Sequence, residues 1–190
     1  MTAGRRKRDP LDRYDTPQED VQRFLRAWLA ELSPNLYTAT WRVWEPAAGS
    51  GSIVAALREA LPGAWIMGSD IAPRGAAVVQ LDFFGSTMIQ GWDLIITNPP
   101  YRLAEQFVRH AHKLVRDGGF VVMLLRAAFL EARARRAFWQ EFPPSQVFFL
   151  ERRPRFRGPN TDGGTDTAMY AWFVWRRLPQ GPRAFEGYRI

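Results

Sequence analysis

The sequence predicts an α/β fold: a doubly wound, seven-stranded, mostly parallel sheet that ends in an antiparallel C-terminal strand. Three observations predict it. From Trp41 onward, short apolar runs alternate with helical stretches, the rhythm of a parallel sheet with crossover helices. The first run leads into E-P-A-A-G-S-G, Glu45 to Gly51, a turn that opens a helix. The last two runs are joined by a polar loop with no helix, so they must pair antiparallel.

Residues 1–12 are charged, small or proline without periodicity and read as a flexible basic tail ahead of a single domain over 13–190. Thr16 reads as a helix N-cap with Pro17 at the first helical position. Val21, Phe24, Leu25, Trp28, Leu29 and Leu32 then recur at spacings of three and four, an amphipathic helix of about four turns. Strands are predicted at 42–44, 64–68, 77–81, 93–97 and 120–125, and helices at 52–60, 103–115 and 129–139. The closing strands, 146–150 and 169–175, are expected at or near a sheet edge, and the loop between them is longer than packing requires.

Composition narrows the function. The chain has 190 residues, and 26 Lys and Arg against 19 Asp and Glu give a formal charge of +7, which favours a polyanionic partner. The absence of cysteine excludes disulfides, thiolate metal sites and cysteine nucleophiles. The longest apolar run, Phe120 to Leu125, is far short of the roughly 18 residues of a membrane span. With no signal peptide visible, a cytoplasmic protein without a membrane partner is expected. His110 and His112 have no neighbouring spacing that suggests a metal, and none is expected.

The glycine turn and the two acidic positions beyond it point to a nucleoside. Gly49 and Gly51 let a ligand approach the backbone, but Val54 stands where a dinucleotide fingerprint has its third glycine, which disfavours a diphosphate. Asp70 ends the next strand, where a carboxylate can accept both ribose hydroxyls. Asp82-Phe83 pairs a carboxylate with an aromatic, suited to an exocyclic amine and one face of adenine. The plainer roles are a helix cap for Asp70, a turn former for Asp82 and core for Phe83.

Asn98-Pro99-Pro100-Tyr101 is the decisive segment. Two prolines end the strand, so the Asn98 amide oxygen and the Pro99 carbonyl project rigidly from the sheet edge that binds ligands in open α/β folds. Two acceptors aimed at one amine, with a tyrosine face beside them, can let a conjugated nitrogen rehybridise for attack without a strong base.

In this order and spacing, E-P-A-A-G-S-G, Asp70, Asp82-Phe83 and N-P-P-Y resemble the class I S-adenosylmethionine-dependent methyltransferases of exocyclic amines, especially DNA adenine N6 methyltransferases, over most of residues 14–175. The resemblance implies a Rossmann-like methyltransferase fold and S-adenosyl-L-methionine as cofactor. It places Tyr14 and Thr16 at the donor's amino and carboxylate groups and Glu45 at the amino group. Pro46, Ala47, Gly49 and Gly51 would form the turn against the cofactor. Asp70 would hold the ribose with Ile71 beside it, Asp82 the adenine amine, and Phe83 the adenine ring. Asn98, Pro99, Pro100 and Tyr101 become the catalytic set, with Asn98 also against the cofactor.

Arginines are concentrated between Arg126 and Arg157. Arg152, Arg153, Arg155 and Arg157 are expected on phosphates, and Phe156 resembles the late aromatic that clamps an extruded base. Neither the stretch between Tyr101 and Phe120 nor the end of the chain leaves room for a target-recognition domain. Relaxed specificity is therefore expected, or recognition supplied by a partner subunit or a homodimer. RNA adenine N6, DNA cytosine N4 and release-factor glutamine methylation share the chemistry. A non-catalytic nucleic-acid-binding subunit with this fold is the alternative from another class.

Overall fold

A computed structural model of the chain describes residues 14–32, 41–85, 90–131, 135–158, 161–162, 168–179 and 188–189. The predicted tail at 1–12 lies outside them. Helix α1 (Gln18–Glu31) is followed by β1 (Arg42–Glu45), α2 (Ser52–Ala60), β2 (Trp65–Asp70), β3 (Val79–Gln80) and β4 (Trp92–Thr97). A 3-10 turn at Tyr101–Leu103 leads into α3 (Ala104–Leu114) and β5 (Val115–Arg126). A second 3-10 turn, Ala127–Leu130, precedes α4 (Arg136–Glu141) and β6 (Gln146–Phe149). The small strands β7 (Arg157–Gly158) and β8 (Thr161–Asp162) pair with each other, and β9 (Tyr170–Arg176) and β10 (Tyr188–Arg189) join the main sheet.

The sheet runs β3-β2-β1-β4-β5-β9-β6-β10. Strands β1 to β5 are parallel, and β9 is antiparallel to both neighbours, with Met123 opposite Phe173 on one side and Val147 opposite Phe173 on the other. The seven predicted strands are all present, and β10 adds a short parallel edge on β6. Strand order reverses between β1 and β4, so their C-terminal ends flank a crevice where open α/β sheets take ligands.

Residue parity sorts the core into two layers. Phe120, Val122, Leu124, Trp172 and Val174 face the side covered by α1 and α2. Val121, Met123, Leu125, Phe173 and Trp175 face the side covered by α3 and α4. Strands buried on both faces have no alternation in the sequence, which is why β5 reads as an unbroken apolar run. The periodic residues of α1 do turn inward: Phe24 is stacked between Trp28, at 5.7 Å, and Trp172 of β9, at 4.7 Å.

The elements differ from the sequence expectation at three places. Pro17, not Thr16, stands at the N-cap of α1, and no side chain caps that helix, because the Thr16 hydroxyl is engaged elsewhere. The helix expected at 129–139 is a 3-10 turn followed by the short α4, with 132–134 outside the described residues. Ala127 N–H donates to Met169 O, tying that turn to the start of β9 rather than to a helix of its own. β3 is only two residues long because it pairs on one side alone, with β2. The closing strands β6 and β9 pair antiparallel near the β10 edge, as expected, with β9 between β5 and β6. Among the described residues no helix links β2 to β3 or β3 to β4, and Trp65 and Val79 on that flank are 52% and 56% exposed.

Candidate active site

The glycine turn after β1 is built against β2 and its following loop. Gly49 has φ +53° and Gly51 φ +90°, left-handed backbone that glycine adopts without strain, and Gly51 starts α2. Asp70 bridges the turn and its own loop: Oδ2 accepts from Gly49 N at 2.9 Å and Oδ1 from Ala72 N at 2.8 Å. These two donors hold the carboxylate at the crevice while its remaining lone pairs stay available. Asp82 Oδ1 accepts from Phe84 N at 3.1 Å, so the turn-forming role is real and coexists with a place on the cleft wall.

Glu45, at the end of β1, is 1% exposed, and among the described residues its Oε2 has no hydrogen-bond partner. Burial, then the negative charge of Asp70, push its carboxyl well above the ordinary range. A buried acceptor facing a cleft is costly unless a ligand donor meets it.

Asn98 follows β4 directly and reaches the segment ahead of α1. Its Nδ2 donates to Thr16 Oγ1 at 3.1 Å and to Tyr14 O at 3.3 Å. That segment is pinned from the other side. Asp15 takes a two-pronged contact from Arg74, at 2.6 and 3.1 Å, and Thr16 O accepts from Ser52 Oγ at 2.5 Å. Arg74 in turn donates its backbone N–H to Gly49 O at 2.9 Å, and a Cβ on Gly49 would meet Arg74 Nη2 at 2.8 Å.

These groups enclose one cleft with a cavity volume of about 260 Å³. Its lining includes Tyr14, Thr16, Glu45, Pro46, Ala47, Gly49, Asp70, Ile71, Asp82, Phe83, Asn98 and Pro100. Gly51, Pro99 and Tyr101 are not among the residues that line it. Ile71 is 62% exposed, an apolar face left open in the cleft. Phe83 is largely buried, stacked on Phe107 at 4.9 Å and edge-on to His110 at 4.7 Å, and it also lines the cleft.

Several lining residues were not singled out as site residues in the sequence, among them Asp15, Arg74, Arg102 and Phe107. Asp15 and Arg74 lie in loops and meet only through the fold. Phe107 is legible only as an inward position of α3, six residues beyond Tyr101.

Tyr101 lies beside the cleft in an aromatic group. Its ring is 5.7 Å from Tyr170, which is 4.9 Å from Phe156, which is 6.4 Å from Tyr14. The Arg126 guanidinium lies 5.4 Å from the Tyr101 centroid and 5.9 Å from Tyr170, whose hydroxyl accepts from Arg126 Nε at 3.2 Å. Arg126, read in the sequence only as part of a basic stretch, thus packs on the tyrosine of N-P-P-Y. Phe156 is 6% exposed and packed against Tyr170.

Arg152, Arg153 and Arg155 are exposed and line a second cleft with Glu19, Asp20 and Arg23 at the start of α1. The side chain of Arg157 and all of Arg133 lie outside the described residues. Arg135 is paired with Glu105 at 3.1 Å, and His112 is packed on Phe142, so both are structural.

No family profile and no curated protein matches the chain. Solved structures do, through their fold. A chain from Listeria monocytogenes assigned to the class I S-adenosylmethionine-dependent methyltransferases superposes with a TM-score of 0.63 at 12% identity, over 92% of this chain and 64% of that one. The methyltransferase subunit of a type I restriction-modification system from Streptococcus thermophilus gives 0.63 at 16%, over 86% and 44%. A Pyrococcus horikoshii protein assigned as an RNA methyltransferase gives 0.61 at 14%, over 88% of both chains. The chain spans less than two thirds of the length of the first two. It has the Rossmann-like fold of this class.

Proposed function

We propose that the chain is an S-adenosylmethionine-dependent methyltransferase that modifies the exocyclic N6 amine of adenine in nucleic acid, DNA before RNA, with relaxed sequence specificity. The observation that carries this reading is the Asn98 amide. It is held at the C-terminal end of β4, on the same cleft as the buried Glu45 carboxyl and the Asp70 carboxylate. The fold supports it, since this crevice is where such sheets take ligands.

The residues fit the cofactor. Glu45 offers a buried acceptor for its ammonium, Asp70 a carboxylate for the ribose hydroxyls, and Asp82 one for the adenine amine, with Ile71 and Phe83 as apolar walls. When bound, the cofactor supplies a methyl group on a sulfonium, whose bond electrons stay with sulfur while the amine gives its proton to solvent.

The chain's own work is positioning. Asn98 Oδ1 and the Pro99 carbonyl accept the two amine hydrogens and turn the nitrogen lone pair toward the donor. Tyr101, backed by Arg126 and Tyr170, presents a ring face to the base, which must leave its stack to arrive. The exposed Arg152, Arg153 and Arg155 serve the phosphates on either side of that base.

The test is transfer of labelled methyl to duplex DNA, single-stranded DNA, total RNA and a protein lysate, with products digested to nucleosides and Asn98→Ala in parallel. N6-methyladenine in DNA, lost in the variant, is the expected result. Label in RNA alone would move the substrate, and label in no acceptor would favour a binding subunit.

A further inference from the structure

We infer that Thr16, together with the backbone carbonyl of Tyr14, is a positioning residue that locks the Asn98 amide with its oxygen toward the target amine. This rests on the methyl-transfer reading above. An asparagine side chain has two amide orientations of similar shape and opposite chemistry, one presenting an acceptor and the other a donor. Only the first can hold an amine hydrogen.

The Tyr14 carbonyl decides between them, because a carbonyl accepts and never donates. With Nδ2 facing Tyr14 O at 3.3 Å and Thr16 Oγ1 at 3.1 Å, both amide hydrogens have partners and Oδ1 is the end left over. Turned over, the amide would set oxygen against the Tyr14 oxygen and lose that bond. The selectors are themselves fixed. Thr16 is 2% exposed, its carbonyl is held by Ser52, and Asp15 between the two is clamped by Arg74 and accepts from Ser50 N at 3.3 Å.

Thr16 has a second consequence. A hydroxyl carries one proton and two lone pairs, so while accepting from Asn98 it still has its proton to give to an anionic group in the cleft. A cofactor carboxylate bonded there would polarise the hydroxyl and strengthen its hold on Asn98. Donor binding and acceptor orientation would share one oxygen.

The experiment compares wild type with Thr16→Val, which removes the oxygen at nearly constant shape, and Thr16→Ser, which retains it. The first readout is solvent exchange of the Asn98 side-chain NH2 by NMR, with the resonances identified by their loss in Asn98→Ala. Slow exchange in wild type and in T16S, and exchange about tenfold faster or more in T16V, is expected. The second readout is single-turnover methyl transfer at saturating cofactor. T16V should be slower by about tenfold to a hundredfold with substrate KM little changed, and T16S should be close to wild type.

Unaltered exchange in T16V would overturn the inference. So would a T16V that loses only cofactor affinity and transfers at the wild-type rate once saturated. If wild type methylates nothing, the proposed function fails, while the exchange readout still decides whether Thr16 holds the amide.

Discussion

Glu45 carries an energetic conflict that can be measured. Its carboxyl is buried, without a partner on Oε2 among the described residues, and is pushed well above its ordinary value of 4.5. A raised carboxyl makes its full contribution to stability below the unfolded value, and that contribution is lost as pH rises through the folded one. Glu45→Gln removes the titration, so the ligand-free variant should melt higher than wild type at neutral pH, by scanning fluorimetry. The same change should weaken S-adenosylmethionine binding about tenfold or more by calorimetry, since an ionic acceptor for the ammonium is gone. Gly49→Ala should also weaken binding. At φ +53° the alanine backbone is strained, and its Cβ would crowd the side-chain ends of Arg74 and Asp15 that hold this turn. The places of Asn98 and of the carboxylates that end strands on one cleft were legible, because each stands in a local motif. The bond from Asn98 to Thr16 was not, because a threonine before proline looks the same whether its oxygen caps a helix or holds an asparagine from a strand 82 positions away. The packing of Phe156 was hidden for a related reason: its neighbours in sequence are arginines, and its neighbours in space are Tyr170 and Tyr14.

Among the elements, α1 does more than cover the sheet. Its Phe24 is the middle ring of a stack from Trp28 to Trp172, and Phe148 meets it edge-on at 5.4 Å. Phe24→Ala should cost about 3–5 kcal/mol of stability in urea titrations. It should also lower transfer in the protein that remains folded, because residues 14–16 enter the cleft from the start of this helix. Helix α3 carries the acid sensitivity. Burial lowers His112 from 6.5 to about 4, with its ring between Phe142 and Trp175 and Nδ1 bonded to Val108 O at 2.8 Å. The stability tied to its neutral form is present above pH 6.5 and is lost as pH falls toward 4, up to about 3 kcal/mol. His112→Phe should lose less of its melting temperature than wild type across that window. Long amphipathic and doubly buried elements were plain in the sequence, α1 and β5 above all. The misread ones are short, and their form depends on partners: β3 stops where β2 offers no further pairing, and the 127–130 turn is set by Met169.

At the scale of the whole molecule, the net charge of +7 has a thermodynamic signature. Nucleic-acid affinity should fall steeply with salt, and each of Arg153→Ala and Arg155→Ala should reduce the log–log slope by about one while leaving cofactor binding unchanged. An unaltered slope would remove these arginines from the phosphate contacts. Architecture was the most legible level of all, since alternating strands and helices leave few topologies and the helix-free final connection fixes the antiparallel strand. What the sequence concealed is how that last strand is seated. β9 lies between β5 and β6, so two edges made early have no partner until residues 170–176 are available. Before that point β5 exposes an apolar edge of the kind that recruits other chains. The half-made protein on a ribosome is therefore the form most prone to aggregate, and holdase chaperones should matter most in the last part of synthesis. Tyr170 arrives with the same strand, so the aromatic support of Tyr101 is completed in the step that closes the sheet.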